Sequence, residues 1–324
     1  MKALLAGLGV AGFSWYKRLK QFGGLEIAVV EPDASMKSKM EGDPYPFYTS
    51  LAEALEKEQP DFVVNVTPPH VHTAVNGLAF DRRIPVLCEK PISFDYEESI
   101  RIVERAAREG IPFMIAENYR RFAYVRKLKE LLEVGTIGRI TTVDITFYRY
   151  HHTQRKYTVS LLDDIAVHHW DMVRYLTGKE AARVFARNFN PIGSWSAEPA
   201  DINLYAWLEM EDGIAVSYTG SITSRGKQTE WGGNWRIEGT GGAIEVAGKS
   251  LLVYSKEGAL IRTVDDFGDV PPSDTLAEFI VCLRDGGDNE TSAKDYLKTQ
   301  AIVHYANESS RLKAVVDLKL HDIS

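Results

Sequence analysis

The 324 residues exceed a usual domain of about 100–200, so the length predicts two domains. With 44% hydrophobic and 26% charged residues the composition is that of a folded globular chain and excludes a disordered or collagen-like one. Thirty-eight Lys and Arg against 45 Asp and Glu leave a formal charge of −7, which argues against nucleic acid as a partner, and no run approaches the roughly 18 apolar residues of a membrane span.

The start, MKALLAGLGVAGFSW, carries one Lys and then apolar residues, but glycines interrupt the run. It reads as strand and turn rather than as a signal peptide. Cys88 and Cys282 stand far apart and form no disulfide framework, which permits a reducing compartment, so the expected location is the cytoplasm.

In chain order, residues 2–6 form a short apolar strand, Gly7 to Gly12 a turn, and 13–22 a helix. A strand over 25–30 ends at Glu31-Pro32-Asp33, a helix covers 51–58, and DFVVNV at 61–66 is a strand. A helix at 72–81, a strand at 85–88, a helix at 99–109 and a strand at 111–116 continue the alternation. Strands alternating with helices at this rhythm predict an α/β fold with a doubly wound parallel sheet covered on both faces. After Asn118 the pattern changes: a helix over 123–133 is followed by strands at 140–150, 183–188, 203–210, 214–222, 235–238 and 250–255, with helices at 164–176, 276–283 and 293–313. The expectation is a Rossmann domain over 1–118 and an α+β domain with a large, mainly antiparallel sheet over 119–324, its last helices packing back on the first domain.

Gly7-Leu8-Gly9-Val10-Ala11-Gly12 is G-x-G-x-x-G between the first strand and the first helix. The first Gly permits the turn, the second lets a pyrophosphate approach the backbone, and the third lets helix and strand pack closely; the helix N-terminus then offers its unpaired N–H groups to phosphate. Glu31, 19 residues beyond Gly12 at the end of the second strand, is set to accept hydrogen bonds from ribose hydroxyls. With Asp33 nearby its charge disfavours a 2′-phosphate, so NAD is expected over NADP, although Lys37 and Lys39 stand within reach. A Gly-rich turn beside a surface Glu is the competing reading.

Thr67-Pro68-Pro69-His70-Val71-His72 follows the third of these strands and Glu89-Lys90-Pro91 the fourth, both at the carboxyl edge where open α/β sheets bind ligands. Thr67, Pro68, His72, Glu89 and Lys90 are therefore read as cofactor contacts, His72 more as a shaper of the pocket than as a catalyst. Lys90 is placed to polarise a hydroxyl, against the alternative of a solvated turn lysine. In Asp164-Ile165-Ala166-Val167-His168-His169-Trp170-Asp171, helical spacing puts Asp164, His168 and Asp171 on one face, where a carboxylate orients an imidazole. A metal site is the competing use of such spacing, but no HExxH or Cys cluster accompanies it, and no metal is expected. His169 points off that face and reads as packing.

These segments, with ENYRRF, VGTIGRI, RYLTG and IEGTGGAIEV in the same order, resemble the glucose–fructose oxidoreductase, inositol dehydrogenase and rhizopine-catabolism (Gfo/Idh/MocA) family over most of the chain. The resemblance implies a Rossmann domain and a sheet domain that pairs subunits into a homodimer or homotetramer. It makes Lys90 the lysine of the family's E-K-P motif, Pro91 the proline of a cis bond, and Asp164 and His168 the pair of D-x-G-x-H, with Ala166 departing from the usual Gly and Glu31 standing where many members have Asp. It implies oxidation of a secondary alcohol of a sugar or cyclitol by NAD, with His168 as general base, Lys90 bonding the same oxygen and Asp164 orienting His168 or binding a neighbouring hydroxyl. Asn118, Arg120, Arg149, Tyr150, His151 and His152 are the further substrate-contact candidates, with Trp231 to Trp235 as an aromatic wall or lid; the basic residues among them also allow an acidic or phosphorylated sugar. A non-catalytic dinucleotide sensor and an NAD-dependent glycosidase stand as the other two readings.

Overall fold

The computed structural model describes residues 1–40, 42–150, 159–193, 200–287 and 289–323. The chain divides into two compact units, one of Met1–Glu117, Thr275–Leu297 and His321–Ser324, the other of Asn118–Asp274 and Lys298–Leu320. Among the described residues no helix is long and apolar enough to cross a membrane.

The first unit contains β1 (Lys2–Ala6), α1 (Val10–Phe22), β2 (Glu26–Val30), β3 (Phe47–Tyr48), α2 (Leu51–Glu58), β4 (Phe62–Asn65), α3 (His72–Phe80), β5 (Val86–Cys88), α4 (Tyr96–Glu109) and β6 (Phe113–Ile115). Its strands are parallel in the order β3-β2-β1-β4-β5-β6, that of a doubly wound dinucleotide-binding sheet. Ala3–Ala6, Ile27–Val30 and Phe62–Asn65 are buried throughout, as unbroken apolar runs in a sheet covered on both faces must be. Strand β3 was not foreseen: two residues between turn segments are too short to show a period. Helix α4 starts three residues before the predicted Ser99 because the Asp95 carboxylate accepts from the Glu98 N–H at 3.0 Å and caps it there. The helix Thr275–Asp285 belongs to this unit, and its Leu276, Phe279 and Ile280 share a core with Leu5, Leu19, Val64 and Met114. Phe62 and Phe279 meet edge to face, centroids 5.8 Å apart.

The second unit contains α5 (Ala123–Glu133), β7 (Ile140–Tyr148), α6 (Val167–Thr177), β8 (Ala181–Phe189), β9 (Asn203–Met210), β10 (Ala215–Ser221), β11 (Asn234–Gly239), β12 (Gly242–Ala247), β13 (Ser250–Ser255), β14 (Leu260–Val264) and β15 (Val316–Asp317). The strands form one sheet in the order β14-β13-β12-β11-β7-β10-β9-β8-β15, antiparallel throughout except for the parallel pair β7 and β10. Val143, Ile145, Phe147, Val216, Tyr218, Trp235 and Ile237 are buried, whereas their neighbours Asp144, Ser217 and Arg236 are exposed, so alternation gives the sheet one apolar face. Helix α6 lies on that face, its Trp170 ring 4.7 Å from the Tyr218 ring. Strand β14 escaped the sequence reading because four of its five residues are exposed and show no alternation.

Candidate functional site

In the first unit the chain leaves β1 into the glycine turn. Gly7 has φ +99°, and a side chain on it would meet the Val66 carbonyl at 2.8 Å. A Cβ on Gly12 would stand 2.2 Å from the Gly7 carbonyl oxygen, so only glycine lets α1 sit this close to the strand. At Gly9 a Cβ would meet nothing within 4 Å, and Gly9 caps α1 without a side-chain bond. The first intrahelical bond runs from the Phe13 N–H to the Gly9 carbonyl, leaving the N–H groups before it directed out of the helix past the exposed Val10 and Ala11. These residues fit a pyrophosphate. The Glu31 carboxylate accepts from the Leu8 N–H at 2.8 Å and the Asp33 N–H at 3.1 Å, retaining lone pairs for further donors, while Lys39 Nζ donates to the Leu8 carbonyl at 2.9 Å. Acid and base thus grip the two sides of one residue in the glycine turn.

Lys90 follows β5 and is half-buried, with Lys90–Pro91 a cis peptide. Its flanks are held by hydrogen bonds. Glu89 Oε1 accepts from Trp15 Nε1 of α1 at 2.7 Å, and Glu89 Oε2 from the Lys90 N–H at 3.3 Å. His72, 1% exposed, sets Nδ1 2.7 Å from the Pro91 carbonyl and Nε2 2.7 Å from the Thr67 carbonyl. Carbonyls only accept, so a neutral ring donates to one of them at a time. Burial lowers the proton affinity of this imidazole below its usual value, against the pull of the two carbonyls and of Glu89. The Thr67-Pro68 turn is pinned by buried Asn65, whose Oδ1 accepts from the Thr67 N–H at 3.2 Å and hydroxyl at 2.7 Å while its Nδ2 donates to Asn76 Oδ1 at 2.8 Å. Asn65 and Trp15 were missed in the sequence; the signal for Asn65 was a polar residue inside the apolar run DFVVNV.

In the second unit, Leu162–Ala166 is a π-helical turn that leads into α6. Asp164 sits in that turn, half-buried, and His168 is the second residue of α6, 7% exposed. The pair is therefore separated by a π turn rather than the α turn the spacing assumed; such turns recur at functional sites. The His168 ring stacks on Tyr119, centroids 4.1 Å apart and planes within 10°. Tyr119, inside the ENYRRF segment, was not singled out beforehand. Ala166 is fully buried, its methyl absorbed by the packing.

His169 is fully buried and structural: Nε2 lies 2.9 Å from the Trp231 carbonyl and must donate to it, so Nδ1 accepts from the Tyr218 hydroxyl at 2.9 Å. Burial raises the Tyr218 pKa well above its ordinary value and keeps that hydroxyl a donor. Two residues singled out in the sequence meet each other. Asp171, read as an orienting partner of His168, is fully buried and receives Arg120 Nε at 2.6 Å, Arg120 Nη2 at 2.5 Å and the Thr299 hydroxyl at 3.1 Å. Arg120, expected as a substrate contact, is 5% exposed and its fork is committed to that carboxylate. Asn118 is exposed at the head of the turn Tyr119–Arg121.

Arg149 and Tyr150 are half-buried just beyond β7. The Arg149 guanidinium lies 4.6 Å from the Trp231 ring centroid and donates through Nη1 to the Thr229 carbonyl at 2.8 Å; Arg225 lies over the Tyr150 ring at 5.3 Å. Trp231 is half-buried, while Trp235 is core, its Nε1 donating to the Gly232 carbonyl at 2.6 Å. Only the first of the two tryptophans can therefore serve as a wall. His151 and His152 lie outside the described residues. Among the described residues no three His, Cys, Asp or Glu side chains group as metal ligands do.

A family model described as an oxidoreductase family with an NAD-binding Rossmann fold matches residues 1–117, and one described as the GFO/IDH/MocA C-terminal domain matches residues 125–245. D-apiose dehydrogenase of Paraburkholderia graminis is 24% identical over 98% of this chain and 90% of its own. Inositol 2-dehydrogenase of Mycolicibacterium gilvum is 31% identical over 57% of this chain and 54% of its own. Among solved structures, an oxidoreductase from Agrobacterium radiobacter in complex with NAD+, L-tartaric acid and magnesium superposes with a TM-score of 0.87 over 98% of both chains at 22% identity, a likeness of fold.

Proposed function

The chain belongs to the Gfo/Idh/MocA family of NAD-binding oxidoreductases, and from that premise we propose that it moves a hydride between NAD and the carbon of a secondary hydroxyl on a sugar, cyclitol or sugar derivative. The observation that carries the reading is the bonded backbone around Lys90 at the carboxyl edge of the nucleotide-binding sheet: Glu89, itself held by Trp15, accepts from the Lys90 N–H, and His72 meets the carbonyl of the next residue, Pro91. Bound nicotinamide supplies the hydride acceptor, and the protein's task is to orient the alcohol and manage its proton. We assign the glycine turn and Glu31 to the pyrophosphate and ribose.

Lys90 and His168 are assigned to the reacting hydroxyl on chemical grounds. The ammonium stabilises negative charge on the oxygen as the C–H bond breaks, and the imidazole takes the hydroxyl proton, returning it when a ketone is reduced. Asp164, one π turn before His168, orients the ring or binds an adjacent hydroxyl. We further infer that the outward face of the nine-stranded sheet, where Phe185 and Tyr205 are exposed, joins copies of the chain into a dimer or tetramer, and that the protein works in the cytoplasm.

The test is a screen of sugars, cyclitols and uronic acids with NAD and NADP, read by reduced-nicotinamide absorbance. Turnover of at least one secondary alcohol, faster with NAD, is expected. Tight NAD binding with no hydride transfer from any of them would leave a dinucleotide sensor as the better reading.

A further inference from the structure

Arg149 is fixed from every side except one. Its backbone N–H donates to the Ser221 carbonyl at 2.8 Å and its carbonyl accepts from the Ser224 N–H at 3.1 Å. Its guanidinium face lies on Trp231, and Nη1 is held by the Thr229 carbonyl, within a residue that is 6% exposed. Nε and Nη2 have no hydrogen-bond partner among the described residues, and no carboxylate there forms an ion pair with this side chain. The acid nearest in sequence to its anchor, Glu230, is exposed and pairs with neither Arg149 nor Arg225.

The place of this arginine ties it to the proton-handling helix. The Trp231 carbonyl accepts from His169, the residue after His168, and the Phe147 ring bridges the two, 6.0 Å from Trp231 and 5.3 Å from His169. A half-buried guanidinium that is immobilised, desolvated on one face by an indole and left with two adjacent N–H donors matches a planar carboxylate, which two parallel bonds recognise. A flexible lysine in the same place would offer charge without the fork. Arg225, stacked over Tyr150, adds a second cation to the same end of β7.

We propose that Arg149 is a specificity-determining residue that binds a carboxylate on the substrate, so that the alcohol oxidised belongs to a sugar acid. This rests on the dehydrogenase reading and narrows its substrate class. A single planar fork favours carboxylate over phosphate, whose fuller charge and three oxygens call for more donors.

The experiment uses the full chain with NAD bound and calorimetric titration of matched pairs: D-glucuronate against D-glucose, D-galacturonate against D-galactose, and D-gluconate against D-sorbitol, with D-glucose 6-phosphate beside them. At least one acid should bind about tenfold or more tightly than its neutral partner, and R149Q should collapse that preference by about 10- to 100-fold. R149K, which keeps the charge and loses the fork, should fall between, with circular dichroism confirming that both variants are folded. Equal binding of every pair, glucose 6-phosphate outranking glucuronate, or a preference kept by folded R149Q or by R149K at full strength would each overturn the proposal. An Arg149-dependent preference with no reduced nicotinamide formed would sink the dehydrogenase reading and leave the carboxylate site standing. Turnover of neutral polyols alone would do the reverse.

Discussion

The backbone beside Lys90 and the ring of His168 are set in place by different kinds of contact. Around Lys90 the holding groups are polar and paired one to one: Trp15 to Glu89, Glu89 to the Lys90 amide, His72 to the carbonyls of Pro91 and Thr67. Around His168 aromatic rings gather: Tyr119 stacks on the imidazole, and the neighbouring His169 is boxed by Phe147, Tyr218 and Trp235. Directional bonds fix the backbone they join to tenths of an ångström, whereas stacking fixes the plane of a ring. The roles proposed for them, charge stabilisation by the one and proton transfer by the other, rest on these two kinds of support.

The contrast is broken hardest at the two residues proposed to meet the reacting hydroxyl. Lys90→Ala and His168→Ala should each lower kcat/KM by about 10²- to 10⁴-fold while the NAD dissociation constant, measured by nicotinamide fluorescence, changes little. Wild-type rates in either would remove that residue from the reaction. Next comes the ion pair beneath α6: Asp171→Ala strands the Arg120 guanidinium in the interior, and denaturant unfolding should show a loss of about 3–5 kcal/mol. A loss below about 1 kcal/mol would mean that water reaches the pair.

His72 tests the polar clamp more finely. His72→Gln should destabilise the fold by about 1–3 kcal/mol through loss of the ring's bond to one of the two carbonyls, and should lower kcat more than it alters NAD affinity. Its pH dependence has a definite sign. Burial depresses the folded-state pKa below the ordinary imidazole value of about 6.5, so the unfolded chain binds more protons and stability falls as acidification passes from there down through the folded value. Thermal melts between about pH 5 and 8 should therefore slope less steeply in His72→Gln than in the wild type, and parallel slopes would show that the ring does not titrate there. The smallest effect belongs to the stacking partner: Tyr119→Leu should reduce kcat/KM by up to about tenfold, the worth of roughly 0.5–1.5 kcal/mol for one ring pair, and Tyr119→Phe should restore most of it.

The same contrast explains what the sequence disclosed. The glycine turn, Glu31, Thr67-Pro68 and Glu89-Lys90-Pro91 follow strand ends, where spacing alone carries mechanical meaning, and that placement was legible. Asp164 and His168 stood out as a short motif, but the π turn between them did not, because an extra residue in a helix leaves no periodic trace over five positions. The wall of Tyr119, Phe147, Tyr218 and Trp231 is assembled from four distant segments, and nothing local distinguishes its members from core aromatics. The pairing of Arg120 with Asp171 was hidden for the same reason: it spans 51 positions, and each alone looks like a surface charge. Among the strands, those missed were two residues long, edge-exposed or opened by Gly242, where alternation has no length in which to appear.

The helix Thr275–Asp285 has a consequence for biosynthesis. It supplies Leu276, Phe279 and Ile280 to the core of the nucleotide-binding unit, whose other strands all emerge before residue 118. During translation the amino-terminal sheet thus leaves the ribosome with an incompletely covered apolar side and waits for Asn118–Asp274 to follow before it is sealed. A nascent chain stalled ahead of Thr275 should accordingly recruit chaperones and resist folding into a nucleotide-competent half, so cleavage at the apparent domain border would not yield two autonomous pieces.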